Sequence, residues 1–321
     1  MTDSPRPKRV LAVCYSQTGQ LSRVADHLLA PLREDPAVAL QVEVLRPASD
    51  YPFPWPFLRF FDTFPETVHG APAPLAPLAL AGDEDFDLVI LFYQVWFLSP
   101  AQPIAAFLRQ PQAARLLRGK PVVTVIACRN MWLMAQEKMK AMLAGVGARL
   151  LDNVVLVDPS PTMASLLTTP LWMLSGRRDL IRSLPPAGVD DAAIVASRRF
   201  GLALRDALAH DAERGSAPLL AGLRAVDANP RLLASEKAAT RSFFVWGKLL
   251  RAVGEPGTPA RTAVLVLYVL FLVALVLTVV PLSLLVQALL RPLLRPRLAL
   301  LKARFDAPSG SGTERMHRYG Q

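Results

Sequence analysis

The chain has 321 residues, of which 52% are hydrophobic and 19% charged, and its formal net charge is +10. The mean hydropathy of +0.30 is too high for an ordinary soluble enzyme, and the excess comes from an uncharged run at residues 262–290. Basic residues flank this run and do not form a stripe with interleaved aromatic side chains, so we expect membrane lipid as a partner and no nucleic acid. Two cysteines, Cys14 and Cys128, do not make a disulfide framework and indicate a reducing compartment.

The first predicted strand, at residues 9–15, leads through a turn into a predicted helix at residues 20–34. The turn holds hydroxyls, amides and a glycine, in Ser16, Gln17, Thr18, Gly19 and Gln20, and Leu21 follows it. Hydroxyls and the unpaired N–H groups of a helix N-terminus bind phosphate, and a glycine lets the backbone approach closely. The turn has neither the lysine of a triphosphatase loop nor a G-x-G-x-x-G pattern. We therefore predict a phosphate-binding turn, with an ordinary strand-turn-helix connection as the alternative.

Four more strand-like runs occur at residues 39–46, 86–92, 121–128 and 152–157, and helical periodicity recurs at 101–109, 132–146 and 190–212. Strands that alternate with helices predict a parallel sheet with helices on both faces. Five such strands fit the doubly wound, flavodoxin-like α/β order 2-1-3-4-5, in which a ligand binds where the strand order reverses.

The Y-S-x-T-G-x turn after the first strand resembles the FMN-phosphate loop of flavodoxin-like proteins, which holds phosphate without a cation. Those loops usually carry a further threonine at the position of Leu21, and Ser22 is the neighbouring hydroxyl here. The resemblance implies FMN as the cofactor. It also implies that the loops after the third and fourth strands contact the flavin ring.

A flat heteroaromatic ring needs an aromatic face on one side and amide groups at its polar edge. The predicted ring contacts are Tyr93, Gln94, Val95 and Trp96 in the first of these loops and Cys128, Arg129, Asn130 and Trp132 in the second. Arg129 is placed to stabilise negative charge at the N1–C2=O edge of a reduced flavin. Local packing is the alternative for each residue taken alone.

Two further segments are predicted to be apolar loops. Residues 49–82 are rich in proline and aromatic residues and replace the second helix of the fold, so we interpret them as an apolar wall for a substrate. A cover over the sheet edge is the alternative. Residues 158–176 are interpreted as a cover over the site or as a patch that touches the membrane.

Acid–base chemistry would need a titratable side chain in these loops, and the candidates are Asp62, His69, Tyr93 and Glu137. His69 has a suitable ordinary pKa, although a single loop histidine is often merely solvated. The predicted catalytic residues are His69, Tyr93 and Arg129.

Three segments carry a more specific resemblance: DFDLVILFYQVWFLSPAQP, GKPVVTVIACRNMWLMAQEKMK and FPWPF…FFDTFPE. They are similar to flavodoxin-like proteins called dialkylresorcinol condensing enzymes, over roughly residues 8–180, with a looser match in the apolar C-terminal region and the APSG tail. The resemblance implies an aromatase of pigment biosynthesis that converts a 2,5-dialkylcyclohexane-1,3-dione into a 2,5-dialkylresorcinol. It also implies a ketosynthase as a partner.

The uncharged run would form a helix of about 43 Å, more than a bilayer core of about 30 Å requires and too short for two spans. A single span would export the basic tail against the positive-inside tendency. We therefore expect a kinked or re-entrant membrane-embedded helix, interrupted at Pro281, with both ends cytoplasmic. A single tilted span and a buried core helix are the alternatives.

The predicted organisation is an FMN-binding domain at 1–214, a basic helical connector at 215–261, a membrane-embedded helix at 262–290 and a basic cytoplasmic tail at 291–321. No signal peptide is apparent, so we expect the cytoplasmic face of the inner membrane. The expected function is that of a membrane-associated FMN-dependent oxidoreductase, without a bound metal, which acts on a lipophilic dialkyl cyclic dione. The alternatives are a flavodoxin-like electron carrier, an NAD(P)H:quinone-type flavin reductase and a cofactor-free scaffold for a ketosynthase.

Overall fold

The computed structural model describes residues 6–319, without the side chains of 162–163, 279–281 and 283–294. The strands are β1 Lys8–Cys14, β2 Val38–Val44, β3 Leu88–Tyr93, β4 Val95–Trp96, β5 Ser99–Pro100, β6 Pro121–Cys128 and β7 Arg149–Val157. The α-helices are α1 Gln20–Arg33, α2 Phe57–Asp62, α3 Phe64–Val68, α4 Gln102–Arg109, α5 Pro111–Leu117, α6 Leu133–Gly145, α7 Thr162–Ser175, α8 Asp191–Ala196, α9 Arg198–Ala209, α10 Leu233–Val253, α11 Pro259–Asp306 and α12 Met316–Tyr319.

Five strands form one parallel sheet in the order β2-β1-β3-β6-β7. Counted among these five strands alone, the order is 2-1-3-4-5, which confirms the predicted flavodoxin-like fold. The central strand β3 is buried along its whole length, because helices cover both faces of a doubly wound sheet. The two short strands β4 and β5 form a separate antiparallel hairpin beyond the end of β3.

Both segments that we predicted to be loops contain helices. Residues 49–82 hold the short helices α2 and α3, and residues 158–176 hold the 14-residue helix α7. The α7 segment has no charged residue and contains Pro170. It therefore lacks the alternation of apolar and polar positions from which an amphipathic helix is predicted.

The C-terminal region packs onto the edge of the sheet. The Val155 N–H donates to the Ala225 carbonyl at 2.9 Å, and Val226 donates to Gly310 at 3.2 Å. The main hydrophobic core includes side chains from both segments: Leu219, Leu220, Leu223, Ala225, Val226, Ala228, Phe305 and Tyr319. The predicted boundary at residue 214 and the separate tail at 291–321 are therefore wrong as structural divisions, because apolar side chains of both segments complete the core at this edge.

Helix α11 is longer than the predicted 262–290, and its described part at Pro259–Thr278 is long and apolar enough to cross a membrane. Its mean hydropathy is 2.5, and most of it is exposed on the protein surface. The predicted kink at Pro281 falls among the residues whose side chains are not described.

Both ends of α11 are attached to the same globular unit. Near its start, the Arg261 guanidinium donates to the Gly254 carbonyl just after α10, and near its end Lys302 lines a groove with Pro230 and Arg231 just before α10. The 21 residues of α10 span about 31 Å, whereas a straight helix from Arg261 to Lys302 would span about 62 Å. The side chains of Arg261 and Lys302 are too short to account for the difference between these two lengths. Helix α11 therefore bends away from α10 between its two attachments.

Candidate cofactor-binding site

The turn between β1 and α1 is fixed by hydrogen bonds to two other loops. The Gln17 N–H donates to Gln94 Oε1 at 2.9 Å, and Gln17 Nε2 donates to the carbonyls of Tyr51 and Pro52 at 3.0 and 2.9 Å. The Tyr15 hydroxyl donates to Gln17 Oε1 at 2.5 Å. Gln17 therefore holds the turn against the loops that begin at residues 45 and 94.

Two features of this turn fit a phosphate group. The Ser16 hydroxyl is buried and has no hydrogen-bond partner among the described residues. Gly19 has φ +79°, where glycine is favoured, and a Cβ built on it would meet nothing within 4 Å. The turn thus combines an unpaired hydroxyl with open space at the N-terminus of a 14-residue helix, which is an environment that binds phosphate.

The last two residues predicted for this turn also have structural roles. The Gln20 side chain donates to the Val189 carbonyl at 3.0 Å and accepts from the Val189 N–H at 2.9 Å. Leu21 is fully buried in the main core. Gln20 therefore ties α1 to the segment before α8, and its amide group is already paired.

A cavity of about 170 Å³ lies beside the turn, at the carboxyl ends of the sheet strands. Residues from all three predicted loops line it: Gln17, Thr18, Gln20, Leu21, Gln94, Val95, Trp96, Cys128 and Arg129. Ser16, Gly19 and Asn130 belong to the same loops but do not line this cavity. The structure therefore brings most of the predicted cofactor-binding residues to the point where the strand order reverses.

Trp96 forms one wall of the cavity and is itself held by other aromatic rings. It makes edge-on contacts with Tyr51 at 5.0 Å, Trp55 at 5.9 Å and Tyr15 at 6.0 Å between ring centroids. The aromatic residues of the 49–82 segment therefore support the wall of the cavity, as the interpretation of that segment requires.

Two of the predicted ring contacts point elsewhere. Tyr93 is fully buried in the core, and its hydroxyl donates to Gln136 Oε1 at 2.5 Å. Burial raises the pKa of Tyr93 well above its ordinary value, so the phenol stays protonated. Trp132 is also a core residue, at the start of α6. The predictions for these two residues are therefore wrong. Successive residues at the end of a strand point to opposite faces, so Tyr93 enters the core while its neighbour does not. Trp132 packs its ring into the core where α6 begins.

The other acid–base candidates also lie away from the cavity. His69 Nε2 lies 3.0 Å from the Phe244 carbonyl, and the His69 ring contacts the Phe244 ring at 4.4 Å. Asp62 is ion-paired with Arg261. Glu137 is ion-paired with Lys140 and Arg304 on the surface of α6. The predicted catalytic role of His69 is therefore wrong, since the residue serves the contact between α3 and α10.

The titratable residues that line the cavity are Cys128, Arg129 and Asp158. Burial raises the pKa of the Cys128 thiol, which therefore stays protonated. Burial lowers the pKa of Arg129, and the nearby Asp158 carboxylate opposes that shift. Asp158 accepts from the N–H groups of Gly188 and Ser160 at 2.9 and 2.8 Å. The cavity thus holds one carboxylate in a fixed orientation beside one guanidinium.

The other side of the cavity is lined by Phe60, Phe97, Asp158, Thr169, Trp172, Met173 and Gly188. Sequence reasoning named none of them as a site residue, although it interpreted residues 158–176 as a cover over the site. The Thr169 hydroxyl is buried without a hydrogen-bond partner among the described residues. Residues 158–176 follow the last strand and therefore begin at the carboxyl end of the sheet, but this position does not tell which of their side chains face the cavity.

No protein-family model matches the chain, and no curated protein sequence matches it. Solved structures do match. A flavoprotein in complex with FMN from Lactobacillus acidophilus NCFM is 14% identical, with a TM-score of 0.37, over 46% of this chain and 93% of that one. Flavodoxin 1 from Bacillus cereus is 13% identical, with a TM-score of 0.33, over 61% and 95%. A flavodoxin, WrbA-like protein from Agrobacterium tumefaciens is 11% identical, with a TM-score of 0.33, over 62% and 98%.

At these identities the likeness concerns the fold alone. The class of the protein, a flavodoxin-like α/β protein, rests on the strand order of its own sheet. These three structures cover between 46% and 62% of this chain.

Proposed function

We propose that the protein is a membrane-associated flavoprotein that binds FMN beside the turn between β1 and α1. The observation that carries this proposal is the buried, unpartnered Ser16 hydroxyl at the N-terminus of α1. Ser16, Thr18 and the N–H groups of the turn would hold the phosphate, and the ring would lie against Trp96. A bound FMN would supply a hydride acceptor.

The size of the cavity adds one condition to this proposal. Its volume of about 170 Å³ is below the 300–1,000 Å³ that is typical of small-molecule pockets. Trp172 and Met173 of α7 and Phe60 of α2 line it. We therefore propose that the flavin ring enters when these three side chains move outward.

We further propose that the substrate is a 2,5-dialkylcyclohexane-1,3-dione and the product a 2,5-dialkylresorcinol, as the family resemblance implies. The conversion removes two hydrogens from the ring, one as a hydride and one as a proton. Asp158 is the carboxylate among the described residues that line the cavity, so we assign it the proton. Arg129 beside it would stabilise negative charge on an enolate oxygen.

The placement at a membrane is supported by the two ends of α11. Arg261 near its start is ion-paired with Asp62 and Glu66, and Lys302 near its end is ion-paired with Asp227. A single span would place these ends on opposite sides of the bilayer. We therefore propose that the apolar part of α11 enters the bilayer and returns to the same side. This would hold the cavity close to a lipophilic substrate that is dissolved in the membrane.

A single-turnover reaction tests this function. Protein loaded with FMN in lipid nanodiscs is mixed without oxygen with a dialkylcyclohexanedione. We expect one resorcinol for each flavin reduced, with loss of the yellow flavin absorbance. Flavin that stays oxidised in a loaded protein would refute the aromatase reaction and leave the cofactor proposal intact.

The same fold also serves electron carriers, which is the alternative function. A carrier needs an exposed flavin edge and a charged docking surface, whereas aromatic residues of α2 and α7 line this cavity. A carrier would exchange electrons with a protein partner and would not convert the dione in the single-turnover reaction.

A further inference from the structure

A continuous cluster of aromatic rings connects the cavity with α11. We call it the aromatic seam, and it consists of Phe60, Phe61, Phe64, Phe97, Phe243 and Tyr268. Phe60 and Phe97 line the cavity, and their ring centroids are 5.0 Å apart. Phe97 lies 5.7 Å from Phe64, which lies 4.7 Å from Tyr268 of α11. Two ring contacts, Phe97 with Phe64 and Phe64 with Tyr268, therefore connect the cavity wall to α11.

The seam contains one polar atom whose hydrogen bond is missing. Tyr268 is fully buried, and its hydroxyl has no hydrogen-bond partner among the described residues. A buried hydroxyl without a partner is unfavourable, and a hydrogen bond to a bound group would remove that cost. The surrounding rings are apolar, so that group would belong to a largely apolar molecule with an oxygen atom.

The outer end of the seam faces the surface on the apolar part of α11. Leu267 and Leu270 are 58% and 63% exposed, and Phe271, whose ring lies 6.3 Å from Tyr268, is 40% exposed. These three residues belong to the segment that is apolar enough to enter a bilayer. An alkyl chain that leaves Tyr268 in this direction would therefore pass directly into lipid.

The inner end of the seam is closed by a strained turn. Phe97 and Leu98 connect β4 and β5, and both have positive φ, +48° and +56°. A two-residue hairpin loop with this backbone normally has Asn-Gly, and bulky side chains make it costly. Strain of this kind persists at functional sites, and here it holds the Phe97 ring between the cavity and the seam.

We propose that the aromatic seam is a second binding site, which takes an oxygen-bearing ring with an attached alkyl chain. The Tyr268 hydroxyl donates to a ring oxygen, and the chain lies along Leu267 and Phe271 towards the bilayer. Phe97 lies at the boundary between the seam and the cavity, so the ring passes from one to the other when the Phe97 turn moves. The inference rests on the proposed function, because the proposed dione and resorcinol have this chemistry.

The test is the binding of an n-decylresorcinol to the full-length protein in nanodiscs, without FMN. Trp246 lies 5.2 Å from Tyr268, so its fluorescence reports occupancy of the seam. We expect the parent protein to bind the probe, and Tyr268→Phe to bind it about three- to tenfold more weakly, which corresponds to one hydrogen bond. Tyr319→Phe is the matched control, since Tyr319 is buried and its hydroxyl is bonded to Asp206.

The outcomes separate this proposal from the cofactor proposal. Equal affinity in the parent and Tyr268→Phe, or equal weakening in Tyr319→Phe, would overturn the second site. A higher melting temperature of Tyr268→Phe with unchanged binding would do the same, because the hydroxyl would then be only an unsatisfied group. The affinity for FMN, measured in the same variants, should equal that of the parent protein. A parent protein that does not bind FMN would refute the cofactor proposal separately.

Discussion

The backbone N–H of Gln17 donates to the side-chain oxygen of Gln94 at 2.9 Å, which joins the turn after β1 to the loop after β3. These two loops flank the point where the strand order reverses, between β1 and β3. One hydrogen bond therefore sets the spacing between the proposed phosphate site and the wall that Trp96 forms.

Replacing the acceptor in this contact should weaken cofactor binding. Gln94→Leu leaves the Gln17 N–H without its partner and frees the turn to move relative to Trp96. We expect FMN affinity to fall about tenfold, measured by fluorescence titration of the apoprotein. An affinity equal to that of the parent would show that the site does not depend on this contact.

Asp158→Asn tests the assigned proton acceptor. An asparagine keeps an oxygen that accepts from one of the two N–H groups, of Gly188 and Ser160, but it does not take up a proton. We expect the rate of flavin reduction by the dione to fall about 10²- to 10⁴-fold, with FMN still bound. Asp191→Asn, on the exposed start of α8, is the control and should react like the parent. A normal rate in Asp158→Asn would refute the assignment.

Arg261→Gln tests how α11 is attached. The Arg261 side chain is only 1% exposed and is ion-paired with Asp62 and Glu66, which are partly exposed. Its removal leaves two carboxylates without their cation, and we expect a loss of about 2–4 kcal/mol in the free energy of unfolding. Residues 254–258 should also become sensitive to protease. Lys248→Gln, on the exposed face of α10, should change neither property.

The buried carboxyl of Glu236 predicts a pH dependence of stability. It accepts from the N–H groups of Leu133 and Met134 at the start of α6, and burial raises its pKa from 4.5 to about 7. The folded state therefore binds the proton more tightly than the unfolded state between these values. Its contribution to stability is full below pH 4.5 and is lost as the pH rises towards 7.

Glu236→Gln should remove this dependence. We expect the free energy of unfolding of the parent to fall by on the order of 2 kcal/mol between pH 4.5 and 7, and the variant to show a flatter profile. Asp152, whose pKa burial raises to about 6, contributes a smaller fall in the same direction in both proteins. Glu255→Gln, an exposed residue, should keep the steep profile. A steep profile in Glu236→Gln would contradict the role of this carboxyl.

The sheet could be predicted from the sequence because its strands are buried on both faces. Runs such as Leu88–Tyr93 are apolar throughout and stand between helices with clear periodicity. The same reasoning located the turn at Ser16 and the loops at Gln94 and Arg129, since strand ends can be read directly from where the apolar runs stop.

The side-chain directions and the long-range packing could not be predicted in this way. Tyr93 and Gln94 are neighbours in sequence, yet Tyr93 enters the core and Gln94 lines the cavity. His69 contacts α10 through Phe244, which lies 175 residues later in the chain. The packing of Phe305 and Tyr319 onto the sheet likewise depends on contacts between distant segments, which local periodicity does not report.

The most direct test of the central claim is a comparison of FMN and riboflavin binding to the full-length apoprotein and to Ser16→Ala. We predict that the parent binds FMN more tightly than riboflavin, and that Ser16→Ala weakens FMN binding about tenfold while it leaves riboflavin binding unchanged. Ser183→Ala, on an exposed loop, should bind both flavins like the parent. A parent protein that binds neither flavin, or that binds FMN no better than riboflavin, would contradict a phosphate site in the turn between β1 and α1.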